Sequence, residues 1–418
     1  MDTDERNLVR DLARQYIEFA ESDENKKRMG LWSNHNSLKY TRPLIRVMQF
    51  AEHEISEINN LQCTEPYMRN LEYFFRKEIY KISLNDDTIF KPWYSVRACF
   101  EYPTTYDLRW GAKISVIRPE MSGGAFIHDP PIKTEEDLNK LIKPYHSIDE
   151  QKSKEKHEQI SEILDGIIPV ITDRTPNYYI SNITDISTDL GYLLGLGQMM
   201  WHMMDNPELV KNTAEFMSNG VLSVQDTAEK AGDLTTAVQW NQSMTYANEL
   251  PEPSADGIPV LRYDLWTGCA AQEAAGISPA MWEEFIFNYQ KPIISKFGLV
   301  SYGCCEDLTR FIPILKRDLK NLRRISVTPW ANTRSCAEQI GSDYVMSWRP
   351  SPTDMVINYK PERVKAIIRE VFKIAAEHRN IIDITLKDVE TISGNLDAVP
   401  GFVKCAREVI DEGCWLFQ

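Results

Sequence analysis

The chain has 418 residues, 43% of them hydrophobic, 26% charged and 10% aromatic. That profile excludes general disorder, and its length exceeds one ordinary domain while suiting one large barrel. A net charge of −14 repels phosphate backbones and speaks against non-specific nucleic-acid binding.

The N-terminus, Met1-Asp2-Thr3-Asp4-Glu5-Arg6, is acidic where a signal peptide needs a basic and then an apolar stretch. No apolar run reaches the roughly 18 residues of a membrane span. A cytoplasmic location is therefore expected, and with it reduced thiols for the eight cysteines rather than a disulfide framework.

Residues 1–85 read mostly as helix. Leu8, Val9, Leu12, Tyr16, Ile17 and Phe19 recur at helical spacing, and Met68, Leu71, Phe74, Phe75 and Ile79 repeat the pattern. Between them, residues 32–43 end in Arg42-Pro43 and read as an irregular loop. With no Pro/Gly/Ser linker behind it, this region is expected to be a helical extension capping a main domain of residues 86–418. Residues 94–100 and 113–117 suggest strands, Met121-Ser122-Gly123-Gly124 suggests a turn, and residues 134–163 look helical.

From about residue 166 a rhythm sets in. Short apolar, β-branched runs fall at 167–172, 235–240, 260–266, 299–304, 324–328, 344–348 and 381–386. Helical stretches at 207–231, 279–297, 309–319, 333–340 and 361–377 lie between several of them. Ser278-Pro279 and Pro361-Glu362 mark helix starts. Alternation at this length argues for parallel βα units, and so many in one chain favour a (β/α)₈ TIM barrel over an open sheet. No GxGxxG or Walker loop follows a strand, which counts against nucleotide-binding folds.

In such a barrel, chemistry sits at the C-terminal strand ends. Those ends carry Asn241 and Gln242; Asp264, Trp266, Gln272 and Glu273; Cys304, Cys305, Glu306 and Asp307; Trp330, Asn332 and Cys336; Trp348 and Arg349; and Asp383, Thr385 and Lys387. One reading of the cysteines is a metal site, because zinc prefers thiolates and catalytic zinc keeps an open position beside three protein ligands. Cys304 (or Cys305) and Cys336 would come from consecutive strand ends, with Glu273 as the carboxylate and Glu249 or Glu306 as alternatives. The plainer reading is ordinary buried thiols. Trp240, Trp266, Trp330 and Trp348 are each more often core residues, but together at one barrel end they suit a pocket for a flat, apolar ligand. None of the histidines lies beside these strand ends, which disfavours a His-based triad.

The segment 263–354 resembles the C-terminal half of the uroporphyrinogen decarboxylase superfamily. The matching pieces are Gln272 before Gly276-Ile277-Ser278-Pro279, Tyr302-Gly303-Cys304-Cys305, Ile325-Ser326-Val327, and Glu338-Gln339-Ile340-Gly341 leading into Tyr344-Val345-Met346-Ser347. Asp205-x-Pro207-Glu208 extends the fit more weakly toward the N-terminus. The resemblance implies a (β/α)₈ barrel. The Arg-rich motif of the true decarboxylases is missing, so it points to the corrinoid-dependent methyltransferases of the superfamily. Tyr302 and Cys305 stand where that branch carries His and Gly, and Ile382-Asp383 occupies the region of its late Cys. What remains resembles the Glu…Cys…Cys pattern of the enzymes that demethylate methyl ethers.

On that resemblance the chain is expected to move a methyl group from a small methylated compound, foremost an aromatic methyl ether, to the cobalt of a separate corrinoid protein. Zinc on Glu273, Cys304 and Cys336 would polarise the ether oxygen, and Asp264 would serve as proton donor. Trp240, Asn241, Trp266, Tyr302, Trp330, Asn332 and Trp348 would bind the substrate. A homodimer is left open. The alternative is a metal-independent decarboxylase of the same fold, using Asp264 and Arg349.

Overall fold

The computed structural model describes residues 3–48, 50–102, 110–117, 127–176 and 186–417. The turn expected at residues 121–124 lies outside them. Ten strands are present among the described residues: β1 (Leu44–Val47), β2 (Tyr94–Arg97), β3 (Ser115–Ile117), β4 (Ile127–Asp129), β5 (Val170–Asp173), β6 (Trp266–Cys269), β7 (Leu299–Tyr302), β8 (Leu322–Val327), β9 (Val345–Trp348) and β10 (Ile381–Leu386). Six form a curled, wholly parallel sheet in the order β1-β10-β9-β8-β7-β6. β2 and β5 pair in parallel, and β3 and β4 form an antiparallel pair.

The first strand of the chain thus pairs with the last, Leu44 opposite Asp383 and Val47 opposite Leu386. The region expected to be a helical cap therefore also supplies a strand to the main sheet. Its loop is shorter than expected too: the helix Asp23–Asn36 runs through Trp32, started by Ser22, whose hydroxyl accepts from the Asn25 N–H.

Both faces of this sheet are buried, which explains why its strands read as unbroken apolar runs rather than clean alternations. In β10, Ile382, Ile384 and Leu386 pack in the main core, which includes the buried faces of helices Pro361–Glu377 and Ala398–Asp411. Asp383 and Thr385 point to the other face and are equally buried. There Asp383 accepts from Arg324 Nη2 at 2.6 Å, Ser347 Oγ at 3.0 Å and the His35 ring at 3.1 Å. With Thr385 Oγ1 donating as well, at 3.3 Å, four donors meet this carboxylate in a polar layer under the strand ends.

Two expected strands turn out otherwise. Residues 235–240 make only an isolated bridge, Thr235 with Pro259. Their side chains serve β6 instead: Gln239 Oε1 accepts the Trp266 N–H at 3.0 Å, and the Trp240 ring lies over Gly268. A Cβ on Gly268 would stand 2.0 Å from Trp240 Cζ3, so glycine is what makes the contact fit. Residues 260–266 reach strand geometry only at Trp266. Before it, Arg262–Asp264 form a 3₁₀ turn closed by the Asp264 carboxylate, which accepts the Leu261 N–H at 3.0 Å, while Arg262 pairs with Glu229 at 2.6 Å. No helix among the described residues is long and apolar enough to cross a membrane.

Candidate active site at the C-terminal strand ends

β7 ends at Tyr302, and Gly303 redirects the chain across the strand ends. Its φ is +104°, its N–H donates to Cys269 O at 2.7 Å, and a Cβ would fall 2.6 Å from Leu308 Cδ1. Only glycine fits that conformation at that distance. The turn presents Cys304, Cys305 and Glu306. Glu306 is buried and ties two loops together, accepting the Ala271 N–H at 2.9 Å and the Cys304 N–H at 2.7 Å. Burial raises its pKa.

The two thiols lie side by side, Sγ to Sγ at 3.6 Å. Lys387, directly after β10, brings its Nζ to 3.1 Å from Cys305 Sγ and 3.5 Å from Cys304 Sγ, and also against Asp388 Oδ2. Arg349, directly after β9, donates from Nη1 to Cys304 O at 2.8 Å and is buried, its Nε and Nη2 without a hydrogen-bond partner among the described residues. The Cys305 sulfur lies 3.5 Å from Asp388 Oδ2.

The thiols titrate as a pair. A hydrogen bond from Cys305 lowers the Cys304 pKa to about 5; Lys387, Arg349 and a hydrogen bond with Gln242 act in the same direction and burial opposes them. The neighbouring Cys304 sulfur raises Cys305 in return. The two sulfurs are thus driven in opposite directions, Cys304 toward the thiolate and Cys305 toward the thiol. Burial works against the Lys387 ammonium, but the Cys304 sulfur and Asp388 outweigh it, and its pKa is raised. Burial lowers that of Arg349.

Over this floor opens a cavity of about 350 Å³, walled by Pro329, Trp330, Pro350, Pro352 and Ile357. Its size lies within the range of small-molecule sites. Trp330 is 72% exposed at its mouth, an aromatic face available for a flat ring.

The expected site residues are not all gathered here. Cys304, Cys305 and Trp330 line the cavity. Cys336 does not: it is buried in the first turn of helix Thr333–Ile340 with its sulfur 3.4 Å from Thr309 Oγ1, and burial pushes its thiol up to about 11. Glu273 turns toward helix Ser187–Leu194, accepting from Ser187 Oγ and Thr188 Oγ1, each at 2.6 Å. The alternatives are also committed, Glu306 to backbone N–H groups and Glu249 to Ser37 and Arg323. Among the described residues no group of three or more His, Cys, Asp or Glu side chains is arranged to hold a metal ion. Glu273, Cys304 and Cys336 therefore do not fit a zinc site.

Asp264 and Trp266 stand at the opposite, N-terminal end of β6, with Trp266 packed on Ala247, Leu250 and Leu299. Asp264 consequently shares no site with Arg349. Tyr302 and Trp348 face the helix layer, Tyr302 against Trp282 and Phe287 with its hydroxyl on Gln290. Asn332 caps its helix, accepting the Ser335 N–H at 3.0 Å. Trp240 and Asn241 line a separate cavity with Arg46, Lys91 and Trp93, where Asn241 Oδ1 accepts the Ser243 N–H. From sequence, Gln242 and Lys387 are placed at strand ends without a role, and Asp388 is not named. The alternation Asp383, Thr385, Lys387 along β10 is the signal that carries Lys387 to the thiols.

No protein-family model matches the chain, and no curated protein does. Among solved structures it is similar to a methyltransferase from Methanosarcina mazei, with a TM-score of 0.51, covering 93% of this chain and 98% of that one at 11% identity. At that identity the likeness is one of fold.

Proposed function

We propose that this chain is a methyltransferase of the uroporphyrinogen decarboxylase superfamily, a (β/α)₈ barrel that takes a methyl group from a small aromatic methyl ether and delivers it to the cobalt of a corrinoid carried by a partner protein. The observation that supports this most is the cavity over Lys387, Arg349 and the thiol pair, walled by Trp330 and three prolines, in a chain sharing its fold along nearly its whole length with a methyltransferase. The curled six-stranded parallel sheet, with the first strand against the last, and the separate parallel pair β2–β5 are compatible with such a barrel, which needs eight parallel strands.

The reaction asks this chain for binding and charge control. The corrinoid, when bound, would supply the nucleophile for the methyl carbon, and the electron pair of the C–O bond would go to the phenolate oxygen. Trp330 and the prolines would hold the ring, and shape and apolar area there would set the substrate class. The departing oxygen needs a positive partner, and the Lys387 ammonium on the cavity floor can donate to it; such donors act most strongly in a site that excludes water. No step is assigned to zinc. A reducing, cytoplasmic setting goes with this reading, since low-valent cobalt does not survive oxidants.

The test is methyl transfer from methoxybenzoates or methoxyphenols to reduced cobalamin, followed by the cobalamin spectrum. Methylcobalamin should form only with ether, chain and reduced cobalamin together. Demethylation by the chain alone, or no methyl-cobalt product with any of these ethers, would overturn the proposal.

A further inference from the structure

We propose that the Lys387 ammonium is a tethered cation standing in the place a metal ion would take among Cys304, Cys305 and Asp388. Its Nζ lies 3.1 Å from Cys305 Sγ, 3.5 Å from Cys304 Sγ and in contact with Asp388 Oδ2. Two thiols and a carboxylate are zinc's donor chemistry. Their sulfurs, 3.6 Å apart, are also close to the edge of about 3.8 Å that bonds of about 2.3 Å give a tetrahedral zinc.

The donors stand at hydrogen-bond distances from nitrogen, longer than metal bonds, so with Lys387 present the set is not itself a metal site. An ammonium offers three hydrogens, and three acceptors meet them here. Its side chain is 8% exposed, so the head group is held in the site rather than extended into solvent. The tether is β10, whose inward-facing Asp383 and Thr385 precede Lys387 on the same face.

The chemical consequence separates two kinds of electrophile. A metal ion offers an empty orbital to a substrate oxygen, whereas an ammonium offers only a hydrogen bond or a proton. The site as built activates its substrate by proton donation. What the cation does for a leaving phenolate rests on the methyltransferase reading; its position among the three donors does not.

The experiment uses the full chain and cadmium chloride as the thiophilic probe. Binding is read by the cadmium–thiolate absorbance band, and by protection of Cys304 and Cys305 from iodoacetamide in peptide mass spectra. Lys387→Met should bind cadmium at this pair at least about tenfold more tightly than wild type, a change on the scale of losing or gaining a ligand-shell contact. Adding Cys305→Ser should abolish the gain. Lys387→Gln, neutral and polar, should behave like Lys387→Met and serves if that variant misfolds by circular dichroism. Wild type protecting the pair as tightly as the variants, or folded variants showing no cadmium at the pair, would overturn the proposal. No methyl donor or corrinoid enters the assay, so failure of methyl transfer and failure of this inference are separately visible.

Discussion

Replacing Asp383 by Asn tests the polar layer that carries the strand ends. Asp383 is fully buried and accepts from Arg324, His35 and Ser347, while Arg324 is itself fully buried. Asn keeps the shape, removes the charge and turns an NH₂ toward these donors. Removing one partner of a buried ion pair costs about 3–5 kcal/mol, because the other charge is left uncompensated. Unfolding entropy of about 2.1 cal/mol/K per residue gives about 0.9 kcal/mol/K for 418 residues, so Tm should fall by about 3–6 °C. The pH dependence has a definite sign. Burial works to raise the Asp383 pKa, but Arg324 and the His35 ring outweigh it and hold it well below the ordinary range. Its contribution is therefore complete above the unfolded value of about 3.9 and is lost as pH falls below it. The gap between wild type and Asp383→Asn should be constant from neutral pH to about 5 and narrow below about 4. Scanning calorimetry across that range is the assay. A Tm within about 1 °C of wild type at neutral pH, or a gap that widens in acid, would refute the reasoning.

Three further outcomes follow from the site and its supports. Iodoacetamide should label the 304–305 peptide at pH 6, where an ordinary thiol of pKa about 8.5 is nearly inert, because Cys304 is lowered to about 5; Lys387→Met should move that profile to higher pH, and an unchanged profile would remove Lys387 from the pair. Gly268→Ala sets a Cβ 2.0 Å from the Trp240 ring and should cost about 1–3 kcal/mol in urea unfolding; the same change in a Trp240→Ala background should cost far less, and equal costs would show that the ring is not what it meets. Glu306→Ala leaves the buried Ala271 N–H and the half-buried Cys304 N–H without their acceptor, at about 1–3 kcal/mol for the first and less for the second; faster amide exchange at both positions checks it, and unchanged exchange would contradict it.

The strands that feed the cavity were legible from residue pattern: β7, β8, β9 and β10 fall within two residues of the runs read as strands, because short apolar runs of 5 to 6 residues between helical stretches suit buried parallel strands. β1 was missed because its four residues follow Arg42-Pro43 inside a helical context, and its strand character comes from pairing with β10 far along the chain. Residues 235–240 failed the opposite way: their β-branched and aromatic composition is real, but Gln239 and Trp240 spend it on capping and covering β6. Within the site, Cys304 and Cys305 stood out by type and position. Lys387 is placed at the last strand end but given no role, since a single lysine after a strand is indistinguishable in sequence from a solvated one. Glu273 and Cys336 were expected together because adjacent strand ends are near in space, yet proximity of backbones does not set side-chain direction. Ser187 and Thr188 claim one, and the helix after β8 buries the other.

The most direct test of the account follows the methyl group itself. With a ¹³C-methoxy aromatic, reduced cobalamin and the purified chain, carbon NMR should show the label moving from oxygen to cobalt and one phenol released per methyl transferred. Transfer should be slowed by at least about tenfold in Trp330→Ala and in Lys387→Met, both folded as wild type by circular dichroism. Label that stays on oxygen, or transfer that proceeds undiminished in both variants, would contradict the assignment of methyl transfer to this cavity.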